Sequence, residues 1–276
     1  MSEDRSVPGQ SRYALDNHHA AATAHHRALA DLLDPHTTGR IAGLCDLSTV
    51  SRCLEVGAGG GSVARWLAHQ VGPYAEVVAC DLKPELIGGH PRLRAVAYDL
   101  CSSRPAAQVL GDGFDLVLAR LTLVHLPQRR AVLHQLAGLL APGGVLLVED
   151  WAAIRDNVVI AAPSPGAAVL YQRYQHAAAA AFDESGADRE WARRIHPTML
   201  QAGLTDVETV VHARYWTGGG PGMRLVAAIQ AQLSPRLRAA GLSEAELGQL
   251  VALAEDPRLV VHGHPLYSTS GRRPLR

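Results

Sequence analysis

The stretch Leu54-Glu55-Val56-Gly57-Ala58-Gly59-Gly60-Gly61-Ser62 decides the reading of this chain. An apolar strand runs into a glycine-rich turn, and a helix begins near Ser62. Glycines in such a turn let the backbone reverse tightly and approach a ligand with no Cβ in the way. The spacing is Gly57-x-Gly59-x-Gly61, and the dinucleotide register GxGxxG fails because position 62 is serine. Glu55 stands two places before the first glycine. A carboxylate there repels a pyrophosphate but attracts a ligand carrying cationic groups.

Working outward, a second strand ends in Val77-Val78-Ala79-Cys80-Asp81, and its acid lies 20 residues after Gly61. That is the usual separation for a ribose-hydroxyl acceptor on nucleotide-binding α/β folds. A third strand, Ala95–Tyr98, runs into Asp99-Leu100, which places a second carboxylate near an adenine amine. A fourth, Phe114–Ala119, leads to Arg120, and Pro142-Gly143-Gly144 precedes a fifth at Val145–Glu149. Strands at 52–56, 76–80, 93–98, 114–119 and 145–149 alternate with helical candidates near 61–70, 84–88, 104–110 and 128–140. Such alternation predicts a parallel sheet with crossover helices on both faces, and the continuous apolar strands fit burial on two sides. Upstream, helical spacing runs from Ala14 to Leu33, where Asp34-Pro35 is expected to end it, with a short helix at 37–44. Beyond Trp151 the pattern predicts helices at 165–182 and 187–202, a strand at 207–216, helices at 221–232 and 243–254, and a last strand at 258–268. The expected architecture is an α/β Rossmann-like fold, a seven-stranded mostly parallel sheet with an N-terminal helical cap and a helical insertion after strand 5. The expected division is a cap at 1–45 and a domain at 46–276 whose lid covers about 152–204.

With these motifs in place, residues 50–151 resemble the class I S-adenosylmethionine (SAM)-dependent methyltransferases, and among them small-molecule, natural-product enzymes of high-GC bacteria. The resemblance implies SAM as cofactor. It assigns the methionine part to Glu55, Gly57, Gly59 and Gly61, the ribose hydroxyls to Asp81 and the adenine to Leu82, Asp99 and Leu100. The turn Ala119–Leu121, with Arg120, is then expected to border the methionine and methyl group. In several members an aromatic residue near the chain start closes over the cofactor, and Tyr13 is the candidate here. A metal-dependent catechol subtype is not expected, because Arg120 stands where that subtype carries an acid. The Asn/Asp-Pro-Pro-aromatic loop of amino-methylating DNA enzymes is missing too.

SAM supplies an activated methyl group, so a base is needed only where the acceptor must lose a proton. His125, just past the fourth strand, is the first candidate, with Asp150, ending the fifth, or one of the N-terminal histidines as alternatives; a docking histidine and a turn cap are the bland readings of the first two. The pairs His18-His19 and His25-His26 lie seven apart, roughly 10 Å on a helix by its 1.5 Å rise, too far for one metal ion. Tyr171, Tyr174, Phe182, Trp191 and Trp216 either wall an aromatic acceptor pocket or pack the lid onto the sheet.

Composition narrows the partners. The 276 residues carry a formal net charge of +0, and Lys83 is the only lysine. No clustered cations are available to track a phosphate backbone, which weighs against a nucleic-acid partner. No apolar leader or 18-residue apolar run is visible, and Cys45, Cys53, Cys80 and Cys101 form no CxxC pair. The expectation is a cytoplasmic enzyme acting on a small-molecule acceptor, of aromatic or indole type, at oxygen, nitrogen or carbon. A homodimer is among the assemblies the resemblance allows. The competing readings are a SAM-binding protein of the same fold without methyl transfer, such as a cyclase, and a macromolecule methyltransferase.

Overall fold

The computed structural model describes Leu15, residues 20–154 and residues 158–275. Seven strands build the central sheet: β1 (Arg52–Val56), β2 (Glu76–Asp81), β3 (Leu93–Ala97), β4 (Phe114–Arg120), β5 (Leu140–Trp151), β7 (Thr205–His212) and β10 (Leu266–Arg272). Their order is β3-β2-β1-β4-β5-β10-β7, with β1 parallel to both β2 and β4, and β10 antiparallel to both β5 and β7. The expected mostly parallel α/β sheet is therefore present. The chain order reverses between β1 and β4, and at such a point α/β sheets open a ligand crevice beyond the strand carboxyl ends.

Both faces of the sheet are covered, as the apolar strands require. On one face Leu54, Val78, Val117 and Leu146 pack with Leu110, Leu133 and Met199, which come from α3 (Ala106–Leu110), α4 (Arg129–Gly138) and α6 (Ile195–Gln201). On the other, Cys53, Val77, Leu116 and Leu147 pack with Ile41, Val63 and Leu67, from α1 (Ala22–Leu44) and α2 (Ser62–Gln70). Successive strand residues thus serve opposite cores, the period-two geometry of a doubly covered sheet.

A third apolar cluster joins α5 (Pro165–Glu184), α7 (Pro221–Ala239) and α8 (Glu244–Glu255) to a small sheet of β6 (Val159–Ala161), β9 (Val260–His262) and β8 (Tyr215–Thr217). Its helices begin with local signals legible in the sequence. Ser164 caps α5 by accepting from the Ala167 N–H, with Pro165 in the first turn. Ser243 and Glu246 form a reciprocal capping box on α8.

Several boundaries differ from expectation. Helix α1 runs without a break through Pro35, where the sequence suggested an end. Proline lacks the N–H that would bond four residues back. Here Leu33, Thr37 and Ile41 are nevertheless buried on the two sides of it, so packing outweighs the lost bond. Likewise α7 continues through Pro235 to Ala239. The segment near 84–88 is one 3-10 turn, Pro84–Leu86, and 187–202 divides into a 3-10 turn, Trp191–Arg194, and α6. The strands expected at 207–216 and 258–268 each split, into β7 and β8 and into β9 and β10, with one half in each sheet. A continuous apolar run records burial, not which partner strand provides it, so the sequence pattern cannot show a change of sheet.

Candidate active site

The glycine turn lies between β1 and α2, at the carboxyl edge of the sheet. Gly57, Gly59 and Gly61 have φ of +66°, +52° and +67°. A Cβ on Gly57 would stand 2.2 Å from Thr122 Oγ1, and one on Gly61 would stand 2.5 Å from the Ile87 backbone oxygen. Two of the three glycines are therefore required by the protein's own packing, independent of any ligand. Replacing Gly61 by alanine should cost about 2–4 kcal/mol of stability, from the left-handed backbone and an overpacked contact that backbone cannot yield cheaply. Denaturant unfolding reads this directly, and a loss below about 1 kcal/mol would refute the packing argument.

Beneath the turn, Glu55 is almost wholly buried, and its Oε2 has no hydrogen-bond partner. Burial pushes its carboxyl up to about 7, against the pull of the Arg120 guanidinium. A buried carboxylate oxygen without a donor is costly, and a bound ammonium would relieve it. At the end of β2, Asp81 accepts from the Gly59 N–H at 2.9 Å through one oxygen and from the Lys83 N–H at 3.1 Å through the other. Leu82 beside it is 63% exposed, an apolar side chain left free to meet a flat ring. Asp99 is exposed and accepts from the Cys101 N–H at 2.8 Å, whereas Leu100 is buried.

The fourth strand closes the other side. Leu121 takes a positive φ of +50°, rare for a branched side chain, and its N–H donates to Glu149 O at 2.7 Å. This kink brings Thr122 over Gly57. Arg120 pairs with Asp34 at 2.8 Å and donates to Thr37 Oγ1 at 3.0 Å. Thr37 in turn donates to the fully buried Glu149 at 2.6 Å, and Ser268 donates to the other Glu149 oxygen at 2.7 Å. Asp34 also accepts from Ser62 Oγ at 3.1 Å, so α1 is bonded to the start of α2 and to the ends of β4, β5 and β10.

The cap reaches the turn itself. The ring of His26 lies 3.0 Å from the place a Cβ on Gly59 would take, and its Nε2 is buried without a partner. Burial lowers the basicity of His26 although Asp81 opposes this. His25 stacks on His26 at 5.5 Å and is lowered to about 4, chiefly by burial. His125, in a 3-10 turn at Leu123–His125, is lowered to about 4 by burial, with Arg129 and His25 adding to the effect. Its ring lies 6.4 Å from that of Phe182. Asp150 is fully buried against the Val124 backbone and the Trp191 indole, and burial holds its carboxyl well above the usual range. Tyr13, His18 and His19 lie outside the described residues.

The structure thus brings Glu55, the glycines, Asp81 and Arg120 to one edge, as the motifs implied. Thr37 and Thr122 are neighbours of this edge that the sequence reading did not single out, and Asp34 and His26 were named there only as part of a helix stop and of a histidine pair. Their partners lie far along the chain, and no local spacing marks them. The aromatics divide. Trp191 is buried in the sheet core and Tyr171 in the third apolar cluster, while Tyr174, Phe182 and Trp216 line a cavity of about 310 Å³.

A turn built for close approach, a buried carboxylate without a donor and a second strand ending in an acid define a site for a cationic, ribose-bearing cofactor. Comparison with known proteins agrees. Residues 54–146 match the family model described as a methyltransferase domain. The chain is 37% identical over 109 residues to methyltransferase str2 of Strobilurus tenacellus, covering 39% of this chain and 38% of that protein. It is 32% identical over 114 residues to methyltransferase GfsG of Streptomyces halstedii, covering 38% and 39%. The matched stretch thus spans well under two thirds of either relative's length.

Among solved structures, a phosphoethanolamine N-methyltransferase 2 from Haemonchus contortus superposes with a TM-score of 0.55 at 15% identity, over 92% of this chain and 57% of that one. The YcgJ protein of Bacillus subtilis does so with a TM-score of 0.54 at 13% identity, over 87% and 99%. At these identities the likeness concerns the fold. Over residues 54–146 the chain is thus similar to methyltransferase domains.

Proposed function

We propose that the protein transfers the methyl group of SAM to a small, largely apolar acceptor, of aromatic or indole type, in secondary metabolism. The observation that carries this is the buried, unpartnered Glu55 Oε2 beneath the glycine turn. It fits a cationic amino group and no phosphate. Bound SAM would supply an activated methyl on a sulfonium centre. Glu55 would hold the amino group, the backbone of the turn at Gly57, Gly59 and Gly61 would meet the methionine part, and Asp81 would take the ribose hydroxyls. Leu82, Asp99 and Leu100 would flank the adenine. Arg120, fixed by Asp34 and Thr37, would set the charge at the methionine end.

The chain's remaining task is to align the acceptor and exclude water. His125 is the imidazole placed to receive an acceptor proton, and it is neutral at pH 7 because burial lowers it to about 4. The same shift makes it a weak base, so it suits an acceptor whose proton becomes acidic as the new bond forms. Asp150, wholly enclosed, is better suited to hold the turn under His125 than to meet a substrate. Among the described residues no helix is long and apolar enough to cross a membrane. A cytoplasmic location and a small-molecule partner belong to this same proposal.

Incubation with methyl-labelled SAM and a panel of phenols, indoles and amines tests the reading, which fails if no acceptor is labelled. A His125→Ala variant should lose about 10²–10⁴-fold in turnover with SAM affinity unchanged. Turnover within a few-fold of the unaltered protein would make His125 structural.

A further inference from the structure

A cavity of about 310 Å³ is lined by Trp151, the residue that ends β5. Three rings form one wall: Trp151 lies 6.0 Å from Trp216 and 5.8 Å from His264, and His264 lies 5.7 Å from Trp216. Trp216 sits in a slot that exists only because residues 222 and 263 are glycine. A Cβ at either would come within 2.2 Å of its indole. Phe182 also lines the cavity, and its ring lies 6.4 Å from that of His125, the imidazole that follows β4.

Gln172, Gln175 and His176 line the cavity along α5, and the Gln175 Nε2 donates to the Tyr171 hydroxyl at 2.8 Å. Arg189 and Asp183 pair through two hydrogen bonds of 2.7 Å, so that pair adds no net charge. The Tyr174 hydroxyl is spent on Val226 O at 3.3 Å. The His264 ring has no hydrogen-bond partner among the described residues and lines the cavity. Burial, with Arg189 adding to it, lowers this imidazole to about 4. At pH 7 it is neutral and keeps one ring nitrogen that accepts a hydrogen bond.

We infer that this cavity is the acceptor subsite, and that it takes an uncharged aromatic ring system bearing one hydroxyl or ring N–H, which His264 orients by a hydrogen bond. The volume lies at the small end of ligand pockets, which fits one or two fused rings. Aromatic walls favour stacking or edge contacts with a flat guest, and a hydrogen bond to His264, which belongs to the ring wall itself, would fix its in-plane rotation. His264 acts here as a positioning and specificity residue. The inference rests on the methyltransferase reading for the word acceptor, but its binding chemistry stands on the cavity alone.

The test is calorimetric titration of the full chain at pH 7 with three probes of one shape: 2-naphthol, naphthalene and 2-naphthoate. The unaltered protein should bind 2-naphthol about three- to tenfold more tightly than naphthalene, the worth of one neutral hydrogen bond. The naphthoate anion should bind at least about tenfold more weakly than naphthol, since among the described residues no unpaired cation lines the cavity. In His264→Phe the preference for naphthol over naphthalene should vanish, and in His264→Gln, which keeps an acceptor, it should persist in part. A preference undiminished in His264→Phe, tighter binding of the anion, or no binding of naphthol to the unaltered protein would each overturn the inference. Titration of the same samples with S-adenosylhomocysteine separates the two readings. Retained cofactor binding without naphthol binding sinks the subsite alone, and lost cofactor binding in the unaltered protein sinks the enzyme reading.

Discussion

Glu55→Gln is expected to make the cofactor-free protein more stable at pH 8, by up to about 3 kcal/mol, while weakening its hold on SAM about ten- to a hundredfold. Burial raises the Glu55 carboxyl from an ordinary 4.5 to about 7, the Arg120 guanidinium notwithstanding. Each unit of such a shift corresponds to about 1.4 kcal/mol. Because the folded value is the higher one, the folded chain holds a proton that the unfolded chain has lost anywhere between pH 4.5 and 7. Stability therefore falls as pH rises through that window and levels off above it. Glutamine, neutral throughout, escapes the fall. The two proteins should unfold alike near pH 4 and diverge by pH 8. Equal differences at both pH values would show that the carboxyl is ionised without cost. The opposite sign applies to the ligand. A cationic amino group selects the ionised carboxylate, so the unaltered protein should lose roughly tenfold in SAM affinity per unit below pH 7, and Glu55→Gln should lose both the affinity and its pH dependence.

Asp81→Ala is expected to weaken SAM binding by at least about a hundredfold without unfolding the chain. Its two oxygens already receive N–H bonds from Gly59 and Lys83, which orient the carboxylate at the sheet edge. If two ribose hydroxyls add to these, each charge-assisted bond contributes about 1.5–3 kcal/mol. Asp81→Asn separates the two functions, since it keeps an oxygen for the Gly59 N–H and loses the charge. Calorimetry with S-adenosylhomocysteine should rank the unaltered protein above Asp81→Asn and Asp81→Ala last. An alanine variant that binds within threefold of the unaltered protein would place the ribose elsewhere.

The edge that carries the glycine turn was largely legible because its signals are local. The Leu54–Ser62 stretch states the strand, the turn and the helix in nine consecutive residues, and Asp81 and Asp99 end strands whose apolar runs identify themselves. The network behind the edge was not legible. Thr37 and Glu149 are 112 residues apart, and Ser268 and Glu149 are 119 apart. Nothing near any of the three marks it as bonded. His26 was recognised only as one of several histidines, and its place on the glycine turn depends on the path of α1. Asp34-Pro35, read as a stop, instead lies inside that helix and supplies the partner of Arg120.

By itself the sequence determined the glycine turn, the acids at the strand ends and the alternation of strand and helix. Each follows from backbone sterics or period-two burial acting over a few residues. Only the tertiary structure decided which sheet each half of 207–216 and 258–268 would join. It also decided that Trp151, Trp216 and His264 would meet around one cavity. Those outcomes depend on competition among distant partners for the same apolar surface. Burial is non-directional, so an apolar residue states in sequence that it will be covered and leaves to the fold what covers it.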